Sequence, residues 1–332
     1  MRLLVYADPH WSTYSSILRE KGKVYSRRLE NLIESINFVE EQATMLSVDS
    51  VICLGDFFDK SELNSQEITA LQEIKWANCN HLFLTGNHEI GVNTGFFSST
   101  KIFNLCPNVT VIDKPECYMT ENCQLCFLPY TQEYKPLKEY FGEKNTARII
   151  FSHNDIKGIQ MGKFVSQTGF DLEDIQYQSN YFINGHLHNF SQHCSLINLG
   201  NITGQNFGED GFRYPHRAMI IDTNTLVYTY INNPYAINFY KIEDINLINK
   251  VINAVITVKC KENDLVRCKD LIRANNHNII TSRITVEYDH NNSVNSNSEE
   301  LSIDHFAEFK KYMLEKYGQD EILIEELEEI SK

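Results

Sequence analysis

Five short segments of the chain share one pattern, in which a run of apolar residues ends in side chains that can bind a metal ion. The runs are short and continuous, as in strands that are buried on both faces of a sheet. In α/β proteins the loops that follow such strands meet in one crevice at the carboxyl edge of the sheet. We therefore expect five separate loops to place their polar side chains around one point. The segments are Asp8-Pro9-His10, Gly55-Asp56, Gly86-Asn87-His88-Glu89, Ser152-His153-Asn154 and Gly185-His186-Leu187-His188.

The residue types in these segments suit a pair of divalent metal ions. Two ions about 3.5–4 Å apart need a bridging oxygen ligand, and each ion needs several further nitrogen or oxygen ligands. The carboxylate of Asp56 can give one oxygen atom to both ions. Imidazoles and carboxylates without a thiolate favour Mn, Fe, Zn or Co over an all-oxygen Mg or Ca site. The glycines before Asp56, Asn87 and His186 allow the backbone to turn sharply toward the ions.

The order of the five motifs carries a family resemblance. Asp-x-His, Gly-Asp, Gly-Asn-His-Glu, a single His and Gly-His-x-His follow one another along the chain. This order resembles the calcineurin-like metallophosphoesterase superfamily. An isolated His or Gly-Asp pair is more often a turn residue than a ligand, but five such segments in this order, each after a strand, favour a metal site.

The resemblance implies a role for each matching residue. His88 would face the scissile phosphate without binding metal, and would stabilise charge on the phosphoryl oxygens or protonate the leaving oxygen. The nucleophile would be a water molecule whose pKa the two ions lower. Glu89 stands where the nuclease branch usually has Asp, and its extra methylene is expected to move a hydrogen bond without removing a ligand. The ligands would be Asp8, His10, Asp56 and His188 for the first ion, and Asp56, Asn87, His153 and His186 for the second.

The composition predicts a globular protein in a reducing compartment. A chain of 332 residues is long enough for a main domain of about 230–250 residues and a smaller one. We find no run of 18 apolar residues, which excludes a membrane span, and the first apolar residues lead directly into Asp8, as in a core strand. The nine cysteines are scattered, and the Cys123–Cys126 spacing has no second pair, so we interpret them as buried thiols. We predict a cytoplasmic location, which would be the host cytoplasm for a viral protein.

The net charge of −14 constrains how the chain could bind nucleic acid. A protein that binds DNA tightly on its own is normally basic, because its affinity comes largely from phosphate contacts. The acidic balance therefore counts against tight unaided binding. It does not exclude a nuclease, because bound metal ions would offset part of the charge of the ligand carboxylates.

The pattern along the chain predicts an α/β fold with several parts. A β-α-β-α-β start, with helices at about residues 25–46 and 65–77, predicts a parallel sheet. Further short strands follow from about residue 109, so we expect two facing sheets flanked by helices. A small β-α-β cap and a C-terminal helical pair complete the prediction. The predicted parts are a phosphoesterase domain at residues 1–245, a cap at 246–290, a polar linker at 291–300 and a helical tail at 301–332.

Three features resemble the nuclease branch of the superfamily. The segment Gly55-Asp56-Phe57-Phe58-Asp59 resembles the SbcD-type DNA repair exonucleases, and the segment at residues 199–212 resembles the loop on their nucleic-acid side. A cap, a linker and an amphipathic tail match nuclease subunits that dock on an ABC-type ATPase with a coiled coil. The likeness is greatest to the recombination endonuclease subunits of tailed phages, over most of residues 1–245. It implies a DNA exo- or endonuclease that binds two divalent metal ions. We expect Mn²⁺ as the metal, with Mg²⁺, Fe²⁺ or Zn²⁺ as alternatives.

Several alternatives remain open from the sequence. The chain could be a phosphodiesterase or phosphatase for a small molecule, with the cap shaping its pocket. A scaffold with an inactive metal site is disfavoured by the complete ligand set and His88. The tail helices could pack on their own domain instead of a partner, and a homodimer is also open. Trp11 and Tyr14 in the first loop could stack on bases or be buried.

Overall fold

The structure of this protein is a computed structural model that describes residues 1–18, 22–91, 98–161 and 164–288. Residues Met1–Glu287 form one compact unit. The predicted linker at residues 291–300 and the predicted helical tail at 301–332 lie outside the described residues.

Strands and helices alternate through the first half of this unit, and strands dominate the second half. The strands are β1 (Arg2–Tyr6), β2 (Ser50–Cys53), β3 (Asn80–Leu84), β4 (Val109–Ile112), β5 (Glu116–Met119), β6 (Cys123–Leu128), β7 (Ala147–Ser152), β8 (Gln160–Met161), β9 (Phe164–Val165), β10 (Tyr181–Asn184), β11 (Ser191–His193), β12 (Leu196–Asn198), β13 (Arg217–Asp222), β14 (Tyr228–Asn232), β15 (Asn238–Ile242), β16 (Ala254–Lys261) and β17 (Ile279–Glu287). The α-helices are α1 (Arg27–Met45), α2 (Ser65–Ala70), α3 (Leu137–Phe141), α4 (Leu172–Gln178) and α5 (Leu265–Ala274).

Two mixed six-stranded sheets confirm the predicted α/β fold with two large sheets. The first sheet has the order β14-β13-β1-β2-β3-β4, and β1 to β4 are mutually parallel. The second sheet has the order β11-β12-β10-β7-β6-β5, with parallel strands from β12 to β6. In each sheet the central strands are parallel, so their carboxyl ends share one edge.

Successive side chains of a strand point to opposite faces of the sheet, and both faces contribute to the core. In β1, Leu3 and Val5 belong to a buried cluster that includes Phe127 and Phe151 of the second sheet. Leu4 points to the opposite face and belongs to the cluster that includes the apolar residues of α1. All side chains from Leu3 to Tyr6 are at most 1% exposed, which confirms that this run is a strand buried on both faces.

The first two helices differ in how closely they match the sequence. α1 begins after Ser26, whose side chain accepts a hydrogen bond from the Leu29 N–H, and its apolar face packs as predicted. α2 ends at Ala70 and passes into a 3₁₀ turn, although the pattern predicted a helix to residue 77. The cause is Asn37 of α1, whose side chain bonds the main chain on both sides of Ile74, at Glu73 O (3.1 Å) and Lys75 N (2.7 Å). These bonds hold the chain in a non-helical path.

Arg148 lies in β7, the strand that leads to His153, and forms hydrogen bonds with neighbouring segments. It is 1% exposed, and its Nε atom donates to Gln124 Oε1 at 2.7 Å. Each of its five N–H groups has an acceptor available, so the buried charge is fully hydrogen-bonded. The other acceptors are Gln178 Oε1 and the carbonyl oxygens of Phe141, Gly142 and Glu143.

A small parallel sheet, β15-β16-β17, and α5 form the region predicted as the cap. The predicted strand-helix-strand order is present, and β15 adds a third strand that lies before the predicted boundary at residue 245. The domain boundary at residue 245 stays a prediction. No helix among the described residues is long and apolar enough to cross a membrane. All nine cysteines are free thiols. Five are buried as predicted, including Cys123 and Cys126 in β6, but Cys106 and Cys194 are exposed, so the expectation of buried thiols is wrong for these two.

Candidate metal centre

The carboxyl ends of five strands meet at one place, and the predicted ligands lie in the loops that follow. Asp8, Asp56 and Asn87 follow β1, β2 and β3. His153 directly follows β7, and His186 follows β10. The five loops converge as the sequence predicted. That these side chains bind metal stays a prediction. The distances between them show whether they could share an ion.

Asp8, His10 and His188 form one side of the cluster. The Nε2 atoms of His10 and His188 face each other at 3.1 Å. The Oδ1 atom of Asp8 accepts a hydrogen bond from the His186 N–H at 3.0 Å. The Oδ2 atom of Asp8 is buried and has no hydrogen-bond partner. A buried carboxylate oxygen without a partner and a pair of facing imidazole nitrogens are both groups that a bound cation would satisfy. Among candidate ligand atoms close enough to share one ion, His10 groups with Asp56 and His88.

Asn87, His153 and His186 form the other side. Asn87 Oδ1 lies 3.1 Å from His153 Nε2 and 3.0 Å from His186 Nδ1. Asp56 stands between the two sides, because its Oδ2 atom is 3.1 Å from His153 Nε2 and 3.7 Å from His10 Nε2. Of the seven predicted ligands, Asp56 therefore has the position that a bridging carboxylate needs.

Each of the four predicted histidine ligands is held by a hydrogen bond on the ring nitrogen that faces away from the cluster. Such a bond fixes the tautomer and the ring orientation, so that the other nitrogen presents a lone pair to a metal. The acceptors are Asp59 Oδ1 for His10 Nδ1 (3.1 Å), Leu54 O for His153 Nδ1 (2.9 Å), Asp155 Oδ1 for His186 Nε2 (3.1 Å) and Glu209 Oε1 for His188 Nδ1 (3.0 Å).

The backbone is strained at the ligand positions. Asp8, His10, Asp56 and His186 have φ angles of 51°, 50°, 47° and 67°, in the left-handed region that residues other than glycine rarely adopt. Each such residue costs roughly 1–3 kcal/mol, and such strain clusters at functional sites. The fold therefore maintains these four conformations against their local preference.

Two glycines are required by close approach in the cluster. A Cβ atom on Gly86 would lie 2.1 Å from Asp56 Oδ1, and one on Gly55, whose φ is +110°, would lie 2.5 Å from His153 Nδ1. A side chain at either position would displace a predicted ligand. This agrees with the sequence argument that these glycines allow the backbone to approach the ions.

Asp56 and His153 form an ion pair with strongly shifted pKa values. Burial favours neutral Asp56, but the charges of His153, His10 and His88 outweigh burial and hold its pKa well below the usual range. Burial lowers the pKa of His153, but the charges of Asp56, Asp8 and Glu89 prevail and raise it to about 9. A proton must therefore leave His153 before Nε2 can bind a metal ion, and metal binding would release protons.

Glu89 forms hydrogen bonds with the backbone of two of the loops. It is fully buried, and its two carboxyl oxygens accept hydrogen bonds from the Phe58 N–H (3.0 Å) and the Gly86 N–H (2.7 Å). Burial and the charge of Asp56 raise the pKa of Glu89 to about 8. The longer side chain thus spans from the loop after β3 to the loop after β2, and both of its oxygens are engaged with backbone N–H groups.

His88 lies at the open side of the cluster. Its N–H donates to Asp56 Oδ1 at 3.0 Å, and its Nδ1 atom lies 3.0 Å from the Asp59 carbonyl oxygen. The side chain is 42% exposed, and its ring packs edge-on against His10 with centroids 4.6 Å apart. It therefore has access to a substrate and is also close to the His10 and Asp56 ligand atoms.

Sequence reasoning missed the three carboxylates that hold the histidines. Asp59 falls in the Gly55–Asp59 segment, and its spacing from Asp56 is the signal that could have identified it. Asp155 lies two residues after His153, which is a weaker signal. Glu209 falls in the 199–212 segment that resembles the nuclease branch, but nothing in that segment marks it as the partner of His188. For Trp11 the structure decides between the two open alternatives: it is fully buried and its Nε1–H donates to Glu67 O at 3.0 Å, so it does not stack on a base.

Comparison with known families shows the family of the chain. Residues 1–213 match the family described as calcineurin-like phosphoesterase. The chain belongs to this family. A phosphoesterase of this family is a hydrolase of phosphate esters, and the match covers all of the predicted ligand segments.

Comparisons with individual proteins do not narrow the activity beyond the family. No curated protein matches this phosphoesterase. Two solved structures cover 70% of its chain and 98% of their own. One is TT1561 of Thermus thermophilus, with 10% identity and a TM-score of 0.41. The other is a dimetal phosphatase from Danio rerio, with 13% identity and a TM-score of 0.40.

The residues present fit two divalent ions. The first side of the cluster offers the unpaired Asp8 Oδ2 with two imidazoles, and the second offers an amide oxygen with two imidazoles, while Asp56 lies between them. Nitrogen and oxygen donors without thiolates suit Mn, Fe or Zn. When bound, two such ions lower the pKa of water and stabilise charge on a phosphate.

Glu209→Gln is expected to weaken metal binding by about 10- to 100-fold, the usual cost of losing a partner that orients a ligand. The amide retains one oxygen, but the charge that favours the His188 Nδ1–H disappears. Isothermal titration of the metal-free protein with Mn²⁺ would measure the change. Glu173→Gln, at an exposed position on α4, is the matched control. Equal Mn²⁺ affinity in both variants would contradict a positioning role for Glu209.

Proposed function

We propose that this phosphoesterase is a metal-dependent DNA nuclease that hydrolyses phosphodiester bonds with water activated by two metal ions. We further propose that it acts with an ABC-type ATPase subunit in DNA recombination, repair or end processing. The observation that carries the proposal is the candidate metal centre, where the seven predicted ligand side chains and His88 converge in the loops after the strands. Mn²⁺ is the ion we propose, and the cytoplasm is the location.

The predicted ligands Asp8, His10, Asp56 and His153 are buried, but the accessible rim of the centre supports a polymeric substrate. His88 and Asp59 have side-chain exposures of 42% and 33%, and His188 has 25%. A duplex or a long strand cannot enter an enclosed cavity, so a nuclease needs its reactive groups at the surface. A phosphatase for a small molecule more often buries most of its ligand in a deep pocket.

Asp59, in the nuclease-like segment, contacts two histidines of the candidate centre. It is the last residue of the Gly55–Asp59 segment, and it holds both His10, through Oδ1, and His88, through its carbonyl oxygen. Because the His88 Nδ1 atom is engaged with Asp59, the Nε2 atom is left to face the substrate. From there His88 would stabilise charge on the phosphoryl oxygens or give a proton to the leaving oxygen.

Linear DNA and bis-p-nitrophenyl phosphate, each with Mn²⁺, test the proposal. We expect hydrolysis of both, because they are phosphodiesters. A phosphomonoester and a cyclic nucleotide are the comparison substrates. If the protein hydrolyses those well and leaves linear and single-stranded DNA intact, even with its ATPase partner, the small-molecule alternative is correct and the nuclease proposal is wrong.

The partner proposal rests on charge and on the predicted tail. A chain of net charge −14 would gain from a partner that supplies a positively charged path for DNA. In the proposed complex, residues 301–332 dock on the base of the partner's coiled coil. Deletion of residues 299–332 should abolish co-purification with the ATPase and leave Mn²⁺-dependent diesterase activity unchanged. Aggregation of the truncated protein or loss of its metal would show that the tail belongs to the core.

A further inference from the structure

A cavity of about 210 Å³ opens beside the metal centre. It shares a wall with the centre, because His10 lines both. The residues that matter for its chemistry are His10, Tyr14, Ser15, Arg28, Asp59 and Gln205. Pockets for drug-sized ligands have volumes of about 300–1,000 Å³. The cavity is therefore large enough for one compact group next to a bound phosphate, and too small for a longer segment.

The loop that carries Tyr14 is held firmly at its start. Trp11 is fully buried, and its indole N–H donates to Glu67 O. The carboxylate of Glu67 accepts a hydrogen bond from the Thr13 N–H at 2.9 Å. The hydroxyl of Ser12 accepts one from the Tyr14 N–H at 3.1 Å. The backbone on either side of Ser12 is thus fixed before any substrate arrives.

The floor and far wall are joined to the metal centre by hydrogen bonds. Arg28 is 4% exposed, and it donates to Pro9 O, between two predicted ligands, at 2.8 Å and to Gly204 O at 2.9 Å. The Gln205 N–H donates to Glu209 Oε2 at 2.8 Å, and the other oxygen of Glu209 holds His188. The walls of the cavity are therefore positioned by the same groups that position the ligands.

Tyr14 is the residue of the cavity that is available to a ligand. It lines the cavity and is 70% exposed, although its backbone is fixed. An exposed ring on a fixed loop offers a flat apolar face at low conformational cost. In proteins that bind single strands, such rings stack on bases without distinguishing strongly among them.

We propose that this cavity binds the nucleoside attached to the scissile phosphate, and that Tyr14 stacks on its base. The inference rests on the proposed phosphodiesterase activity and adds a subsite to it. Ser15 and Gln205 bring hydrogen-bonding groups to the lining, although Ser15 Oγ accepts from the Leu18 N–H and Gln205 Nε2 donates to Asp8 O. Arg28 and Asp59 bring opposite charges to it. Since stacking provides most of the recognition, the subsite selects for a nucleoside and only weakly for a particular base.

Two diesters with the same leaving group isolate the subsite. Thymidine 5′-(p-nitrophenyl phosphate) carries a nucleoside, and methyl p-nitrophenyl phosphate carries a methyl group in its place. The measured quantity is the ratio of their kcat/KM values with the full chain and Mn²⁺. Tyr14→Ala should lower this ratio by about 5- to 150-fold, mainly through KM, which corresponds to about 1–3 kcal/mol of stacking. Tyr14→Phe should keep the ratio, because the ring remains.

The controls separate this inference from the function on which it rests. Tyr177→Ala removes another exposed tyrosine, 73% exposed on α4, and should leave the ratio unchanged. A wild-type protein that hydrolyses both diesters with equal kcat/KM would overturn the subsite alone. A Tyr14→Ala variant that keeps the wild-type ratio would do the same. A wild-type protein that hydrolyses neither diester while cleaving phosphomonoesters would overturn both proposals.

Discussion

Asp56→Asn is expected to abolish Mn²⁺-dependent hydrolysis and to lower the affinity for both metal ions. Asp56 is the carboxylate that lies between the two sides of the centre, within 3.1 Å of His153 Nε2 and 3.7 Å of His10 Nε2. A neutral amide is a poor bridge between two cations. The loss should exceed the roughly 100-fold that changes outside the ligand set reach.

Metal content by mass spectrometry and the rate on bis-p-nitrophenyl phosphate would measure both effects of this substitution. Asp113→Asn makes the same chemical change at an exposed loop position and should change neither. An Asp56→Asn protein that retains two tightly bound ions would show that Asp56 is not the bridging ligand.

His88→Ala is expected to lower the rate of diester hydrolysis by about 10²–10³-fold, the usual cost of losing one donor that stabilises developing charge. Metal content should stay at the wild-type value, because the seven predicted ligands remain. The His88 side chain is 42% exposed at the open side of the cluster, so its removal should leave the fold intact. His277→Ala, at an exposed position in the small sheet region, is the control.

The two measurements together decide between the possible roles of His88. Its ring nitrogen lies close enough to the ligand atoms of His10 and Asp56 to reach a shared ion. Loss of an ion together with the loss of rate would make His88 a ligand. Loss of rate with both ions present would support the role of charge stabiliser or proton donor.

The convergence of the five loops could be expected from the sequence because each predicted ligand segment stands at the end of a strand. Continuous apolar runs such as Leu3–Tyr6 can be buried on both faces only in a sheet between two layers. His153 follows β7 of the second sheet, so its position depends on how the two sheets pack. Within the first sheet β1 and β2 are parallel neighbours, so their carboxyl ends share an edge and Asp8 and Asp56 had to meet. Local patterns and the geometry of a parallel sheet suffice for that pair.

The parts that sequence could not predict depend on contacts between distant residues. α2 stops at Ala70 because Asn37, far away in the chain, captures the backbone at Glu73 and Lys75. Helices α3 and α4, with five and seven residues, are too short for a helical period to stand out. Glu209 holds His188 across a loop, and an isolated Glu before a turn carries no signal of that contact.

The position of β1 at the centre of the first sheet has a consequence for how the protein folds during synthesis. Its parallel partner β2 follows soon after, but its antiparallel partner β13, at Arg217–Asp222, is made more than 200 residues later. Until then one edge of a strand that is apolar from Leu3 onward remains unpaired, and such edges promote aggregation. Pairing over so long a separation also slows folding. The nascent chain therefore carries its first predicted ligands, Asp8 and His10, beside an unprotected strand until two thirds of the protein has been made.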